Sequence, residues 1–124
     1  MTSLEKSNQS QIITQVLTAR ENREEFLQQM KQRQKEAWKI AQSCAQILKQ
    51  KFGVQRVVLF GSMLNHELIS SHSDIDLAVW GLSEKDLWKA GAAIEKGHDF
   101  IIDLVEAENQ KPHILNAINR GIVL

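Results

Sequence analysis

Asp74-Ile75-Asp76 sets two carboxylates two residues apart at the head of an apolar run that ends at Trp80. On a strand, residues two apart face the same side, with Cα atoms about 6.7 Å apart. Two carboxylates on one face are hard oxygen ligands of the kind magnesium takes at about 2.1 Å, with positions left over for phosphate oxygens. A third carboxylate, Asp103, lies in another apolar run, Phe100-Ile101-Ile102-Asp103-Leu104-Val105. With that run as the neighbouring strand, three carboxylates converge, an arrangement suited to holding two metal ions about 3.5–4 Å apart. Gly61-Ser62 closes a further apolar run, Val57-Val58-Leu59-Phe60. A glycine there lets the backbone turn sharply and approach a phosphate. Ser62 then opens a short helix, whose free N–H groups favour an anion. An Asp-x-Asp pair or a Gly-Ser turn alone is commonplace on protein surfaces. The combination with Asp103 points to a magnesium-nucleotide site.

The local charge pattern supports that reading over a salt-bridged surface. No Lys or Arg occurs from Val57 to Ser83, and none from Gly97 to Gln110. Like charges about 4 Å apart repel by about 4 kcal/mol at an effective dielectric near 20. The cluster therefore needs a metal ion, a bound proton or an arginine from elsewhere in the chain.

The elements that position these residues alternate in type. Arg56 to Phe60 reads as a buried strand, followed by the Gly-Ser turn and a short helix near Met63 to Leu68. Asp74 to Trp80 is a strand. Ser83 caps a helix that runs to about Lys96, with Gly97 as its stop. Phe100 to Glu106 is a strand, Pro112 starts a last helix that ends at Gly121, and Ile122-Val123-Leu124 forms a short terminal strand or tail. Residues 9–51 contain neither Pro nor Gly and read as helical, with Ser10 as cap and Gly53 as the residue beyond its end. Ile12, Ile13, Val16 and Leu17 form one apolar cluster, and Phe26, Leu27 and Met30 a second. Ala37, Trp38, Ala41, Cys44, Ala45 and Leu48 form the best stripe. Unbroken, a helix of about 40 residues is about 60 Å long, against a body roughly 30 Å across. It either breaks, at Arg20 to Glu25 or Lys31 to Glu36, or projects and requires a partner, a homo-oligomer through these helices included.

Leu59-Phe60-Gly61-Ser62, Ser73-Asp74-Ile75-Asp76-Leu77 and Ile102-Asp103-Leu104-Val105 together resemble the minimal nucleotidyltransferase (MNT) group of the polymerase-beta-like superfamily. The likeness spans about residues 37 to 124. It implies an α+β nucleotidyltransferase fold: a small mixed β-sheet flanked by helices, here with a long N-terminal helical extension (1–34) ahead of the nucleotidyltransferase domain (35–124). By this resemblance Gly61 and Ser62 hold the triphosphate, and Asp74 and Asp76 bind both metal ions. Asp103 binds the catalytic one and helps to deprotonate the attacking hydroxyl. The reaction implied is magnesium-dependent transfer of AMP from ATP, with two Mg2+ ions. MNT proteins are similar to antitoxins that pair with a HEPN ribonuclease toxin and adenylylate a tyrosine on it, so a HEPN-type toxin is the implied partner.

The sequence departs from the family pattern in two places. Asn65-His66 stands where an Arg-Gly commonly follows the Gly-Ser, and the stretch from Ser62 to Asp74 is one residue longer than usual. An arginine missing beside a triphosphate removes a charge-assisted contact; His66 or His72 could replace it in part, although a solvated loop histidine is the favoured reading of each. The departure keeps open an inert module that neutralises its partner by docking. A small-molecule, aminoglycoside-type transferase is a third reading, disfavoured because only about 20 residues follow Asp103.

Bulk composition narrows the classes further. The 124 residues are 43% hydrophobic and 24% charged, ordinary for one globular domain. Residues 1–52 carry nine Lys/Arg against five Asp/Glu; residues 53–124 carry six against ten. The acidic C-terminal part argues against direct nucleic-acid binding and fits a centre that recruits divalent cations. One cysteine, Cys44, excludes an internal disulfide and reads as a small core residue. No apolar run spans a bilayer and no signal-peptide pattern opens the chain, so a cytoplasmic location is expected. Trp38 and Trp88 are expected in the core or an interface, Trp80 in packing, and His98 and His113 at helix borders.

Overall fold

The computed structural model describes the backbone of residues 3–124 and the side chains of residues 9–124. One helix, α1 (Ser3–Phe52), precedes the strands β1 (Arg56–Phe60), β2 (Ile75–Trp80), β3 (Ile102–Glu106) and β4 (Ile122–Val123). Helix α2 (Leu87–Ile94) lies between β2 and β3, and α3 (Pro112–Asn119) between β3 and β4. The four strands form a mixed sheet of order β3-β2-β1-β4. β1 runs antiparallel to β2 and β4, and β2 runs parallel to β3. This is the expected α+β architecture, and of the two endings expected, strand or tail, the chain forms the strand. No helix among the described residues is long and apolar enough to cross a membrane.

Period-two alternation sorts the strand residues onto two faces. Val57, Leu59, Ile75, Leu77, Val79 and Ile102 pack against the α1 stripe Ala37, Ala41, Cys44, Ala45 and Leu48 and against Ala90 and Ile94 of α2. Val58, Phe60 and Ala78 face the other way, beneath Ile118 of α3. The sheet is thus sandwiched between α1 and α2 on one side and α3 on the other. Asp76 and Asp103 share the α3 side, at the end of the sheet where Phe60 meets Asp76.

Helix α1 has no break. Both candidate break points stay helical: Arg20 to Glu25 is exposed, and in Lys31 to Glu36 the half-buried Arg33 and Gln34 are held by hydrogen bonds to the body. At 50 residues the helix is about 75 Å long. Among the described side chains Met30 is its first buried residue, and residues 9–26 are exposed. Ser10 is not the cap: the helix begins at Ser3, and the Ser10 carbonyl accepts from the Thr14 hydroxyl at 2.9 Å. The C-terminal stop is as expected, with Gly53 at φ +68° and the Val54 N–H closing onto Leu48 O at 3.2 Å.

Two further helices differ from expectation. The segment after Gly61 is a single 3₁₀ turn, Gly61–Leu64, not a helix to Leu68. Asn65 ends it by folding an Asx turn, its Oδ1 accepting from Glu67 N at 3.0 Å. The Ser83 helix starts as a 3₁₀ turn, Glu84–Asp86, capped by the Ser83 side chain. Its α-helical part ends at Ile94, where His98 caps the C-terminus through Nε2 on Ile94 O at 2.6 Å.

Candidate active site

β1 delivers Gly61 and Ser62 to the end of the sheet, and β2 and β3 deliver the carboxylates to the same end. Asp76 lies opposite Phe60 on β1 and opposite Asp103 on β3. In-register neighbours on adjacent strands are about 4.8 Å apart, so the second and third carboxylates are direct neighbours. Asp74 precedes β2 by one residue and shares the side of Asp76. Asp74 and Asp76 are half-buried and Asp103 is exposed. The five residues singled out from sequence therefore meet at one place.

The turn is built around Asp76. Gly61 has φ +81°, and a Cβ added to it would collide with Oδ2 of Asp76. The backbone at this position is thus held directly against a carboxylate. Ser62 is half-buried in the 3₁₀ turn. A four-residue turn has a smaller dipole than the helix expected there, so anion binding rests on individual N–H groups and the hydroxyl.

Burial, together with the charges of Asp103 and Asp74, pushes the Asp76 carboxyl up from 3.8 to about 6. Among the described residues, no ion pair or side-chain hydrogen bond engages Asp74, Asp76 or Asp103, and no three His, Cys, Asp or Glu side chains close around an ion by themselves. Magnesium is commonly held by one or two carboxylates plus substrate phosphates rather than by an all-protein cage. Crowded acids with no cation of their own, one of them driven toward protonation, form a donor set that fits such an ion.

The long helix supplies side chains that the motif reading missed. Met63 O, inside the Gly-Ser turn, accepts from Gln34 Nε2 at 2.9 Å and from Trp38 Nε1 at 2.7 Å. Arg33 Nη2 donates to Ser73 O at 3.3 Å, and its guanidinium lies 4.4 Å from the Phe100 ring centroid. Arg33 Nε is buried without a partner. With His72, Asp74 and Asp99 this side chain lines a cavity of about 210 Å³. Arg33 brings a guanidinium near the acidic end of the sheet, but among the described residues it forms no ion pair with the acids and so does not supply their counter-charge. Nothing local in the sequence marks it, since its contact spans 40 residues. His66 lies in the turns after the 3₁₀ segment, half-buried.

Asp103 also borders a cavity of about 400 Å³ on the α2 side, lined by Trp88, Gly91, Ala92 and Glu95. Trp88 is 87% exposed, so of the two expected places, core or interface, it is not in the core. Its position in the first turn of α2 points it off the body. Trp80 packs as expected, under the Arg56 guanidinium at 4.6 Å. His113 is exposed in the first turn of α3.

Residues 42–124 match the family described as Polymerase beta, Nucleotidyltransferase. The chain belongs to that family. The matched segment runs from the middle of α1 to the last residue and contains the Gly-Ser turn and all three aspartates. This nucleotidyltransferase finds no match among curated proteins. Its family supports nucleotidyl transfer as the general kind of reaction.

Proposed function

We propose that this nucleotidyltransferase moves AMP from ATP onto a hydroxyl of a partner protein. The observation that carries the reading is the register of Asp76 with Asp103 beside a glycine packed on Asp76. Gly61 and Ser62 hold the triphosphate through backbone N–H groups and the hydroxyl. Asp74, Asp76 and Asp103 are the residues that would hold Mg2+. When bound, that cation would neutralise the triphosphate and the leaving pyrophosphate. Asp103, the most exposed of the three, accepts the proton of the attacking hydroxyl. The α-phosphate gains a bond to the acceptor oxygen as its bond to the pyrophosphate oxygen breaks.

The acceptor is assigned to a HEPN-type toxin, the partner implied by the MNT resemblance, with the protein acting as its antitoxin. Incubation with α-phosphate-labelled ATP, Mg2+ and the protein that co-purifies from the native cell tests this. Label is expected on the partner and is expected to vanish with Asp76→Ala. Label that persists in the variant refutes the metal assignment.

A second reading has support in Asn65-His66 and in the shortness of the 3₁₀ turn, both of which weaken the hold on a triphosphate. In it the protein neutralises the partner by docking alone. Equal partner affinity with Asp74 and Asp76 both changed to Ala, and no label on wild type, selects this alternative.

A further inference from the structure

The loop that leads into Asp74 is tied together by its own serines. Ser70 N donates to Ser73 Oγ at 2.9 Å, His72 N to Ser70 Oγ at 3.2 Å, and Ser73 N to Ser70 O at 3.2 Å. Ser70, Ser71 and His72 are exposed. Among the described residues, one hydrogen bond reaches the loop 70–73 from the rest of the protein, Arg33 Nη2 to Ser73 O at 3.3 Å. The same guanidinium lies over the Phe100 ring, 4.4 Å from its centroid. We propose that Arg33 is a positioning residue for Asp74, holding that carboxylate in place for a divalent cation through Ser73 O and Phe100. The proposal rests on the reading of Asp74 as a ligand of Mg2+.

Ser73 stands one residue before Asp74, and Phe100 three residues before Asp103. One side chain therefore touches the entrances of both acid-bearing strands. Ile75 N donates to Ile101 O at 3.0 Å where those strands begin to pair, and Arg33 braces the chain just outside that bond. Phe100 is a firm support. It is 8% exposed, its N–H donates to His98 Nδ1 at 3.1 Å, and His98 Nε2 reaches Ile94 O at 2.6 Å. The brace thus runs from the end of α2 through His98 and Phe100 to Arg33 and Ser73. A cation beside an aspartate ordinarily pairs with it. Arg33, Asp74 and Asp99 border one cavity of about 210 Å³, yet among the described residues no ion pair joins them. By taking the carbonyl of the preceding residue instead, the arginine fixes the backbone and leaves the Asp74 oxygen atoms free for a metal ion. A lysine could reach that carbonyl, but the planar guanidinium both donates in its plane and covers an aromatic face. Its Nε is buried without a partner, a cost to stability that an apolar side chain of similar length would not carry.

Calorimetry of a non-hydrolysable ATP analogue, with Mn2+ and in chelator, tests this without turnover. Mn2+ takes the same carboxylate and water ligands as Mg2+. Arg33→Met keeps the apolar stem and is expected to weaken binding with Mn2+ about tenfold, at the low end for residues that orient a metal ligand, while binding in chelator stays as in wild type. Arg33→Lys keeps a donor without the planar fork; it is expected to lose part of that affinity, and carries the same test where Arg33→Met disturbs the fold. Amide exchange across residues 70–76 should quicken in Arg33→Met, with β1 unchanged. In Asp74→Asn, adding Arg33→Met is expected to cost nothing more, because the effect passes through Asp74. Wild-type affinity with Mn2+ in Arg33→Met, an equal loss in chelator, which reports direct contact with the phosphates, or a loss fully additive to that of Asp74→Asn would each overturn the proposal and leave the metal site standing. A wild type that binds the analogue no better with Mn2+ than in chelator would overturn both.

Discussion

Gly61 lies so close against the Asp76 carboxylate that no side chain fits between them: an added Cβ would meet Oδ2 well inside contact distance. A residue usually explained by its own backbone freedom is here also required by a neighbour on the adjacent strand. Gly61→Ala is therefore expected to act twice. The positive φ costs roughly 1–2 kcal/mol for alanine, and the methyl displaces the carboxylate. Transfer of label from ATP should fall about a hundredfold, the scale of a 1 Å misplacement in a catalytic constellation. The melting temperature should drop by only a few degrees. A variant of full activity would show that Asp76 does not work in the position described.

The raised pKa of Asp76 sets a pH dependence of stability. Between its unfolded value of 3.8 and its folded value of about 6, the native state holds more of the proton than the unfolded chain does. Stability therefore falls as pH rises through that window and levels off above it. Half-exposure of the carboxylate screens the effect, so a modest change is expected. Thermal melts in chelator at pH 4.5 and pH 7.5 read it directly. Asp76→Asn should flatten the difference and melt higher than wild type at pH 7.5. Added Mg2+ should stabilise wild type more at pH 7.5 than at pH 4.5, because the proton competes for the same oxygen atoms.

Trp38 and Gln34 both donate to Met63 O, which ties the Gly-Ser turn to α1. Trp38→Phe keeps the ring packing and deletes one donor. A loss of about 1 kcal/mol is expected, and combining it with Gln34→Ala should cost more than the two separate losses, because the carbonyl is then left without a side-chain donor. The KM for ATP should rise in the double variant with little change in melting cooperativity. Unchanged KM would separate the turn from nucleotide binding.

Cys44 is 2% exposed, and burial pushes its thiol up to about 11. An aromatic disulfide reagent at pH 8 should leave it unmodified in the native protein and react at once in denaturant. Fast native labelling would mean that α1 detaches from the sheet more readily than its packing implies.

Much of this arrangement was legible in the sequence. The strand runs around Val57, Leu77 and Leu104 are short, apolar and bounded by turn residues, so their identity as strands was clear. The Asp-x-Asp pair and Asp103 announced their faces through period-two alternation. The helix after Ser62 was misread because Met63, Leu64 and Leu68 have helical spacing, while the Asn65 side chain closes a turn that spacing cannot reveal. Of core and interface, the two places expected for Trp88, the core is excluded, because an apolar residue on a helix face does not by itself tell which neighbour covers it. Arg33 was out of reach altogether: its contacts with Ser73 and Phe100 depend on how the long helix lies across the loops, and no local pattern encodes that.

Arg33, Gln34 and Trp38 sit within two turns of one another at the root of α1, and between them they grip both the Gly-Ser turn and the loop ahead of Asp74. The outer part of the same unbroken helix, from Ser3 onward, reaches about 45 Å beyond them. Such a rod is a lever with its fulcrum at the catalytic end. Whatever takes hold of the far tip acts with mechanical advantage on the spacing between the phosphate turn and the acids, so occupancy of the arm and the rate of transfer should rise or fall together.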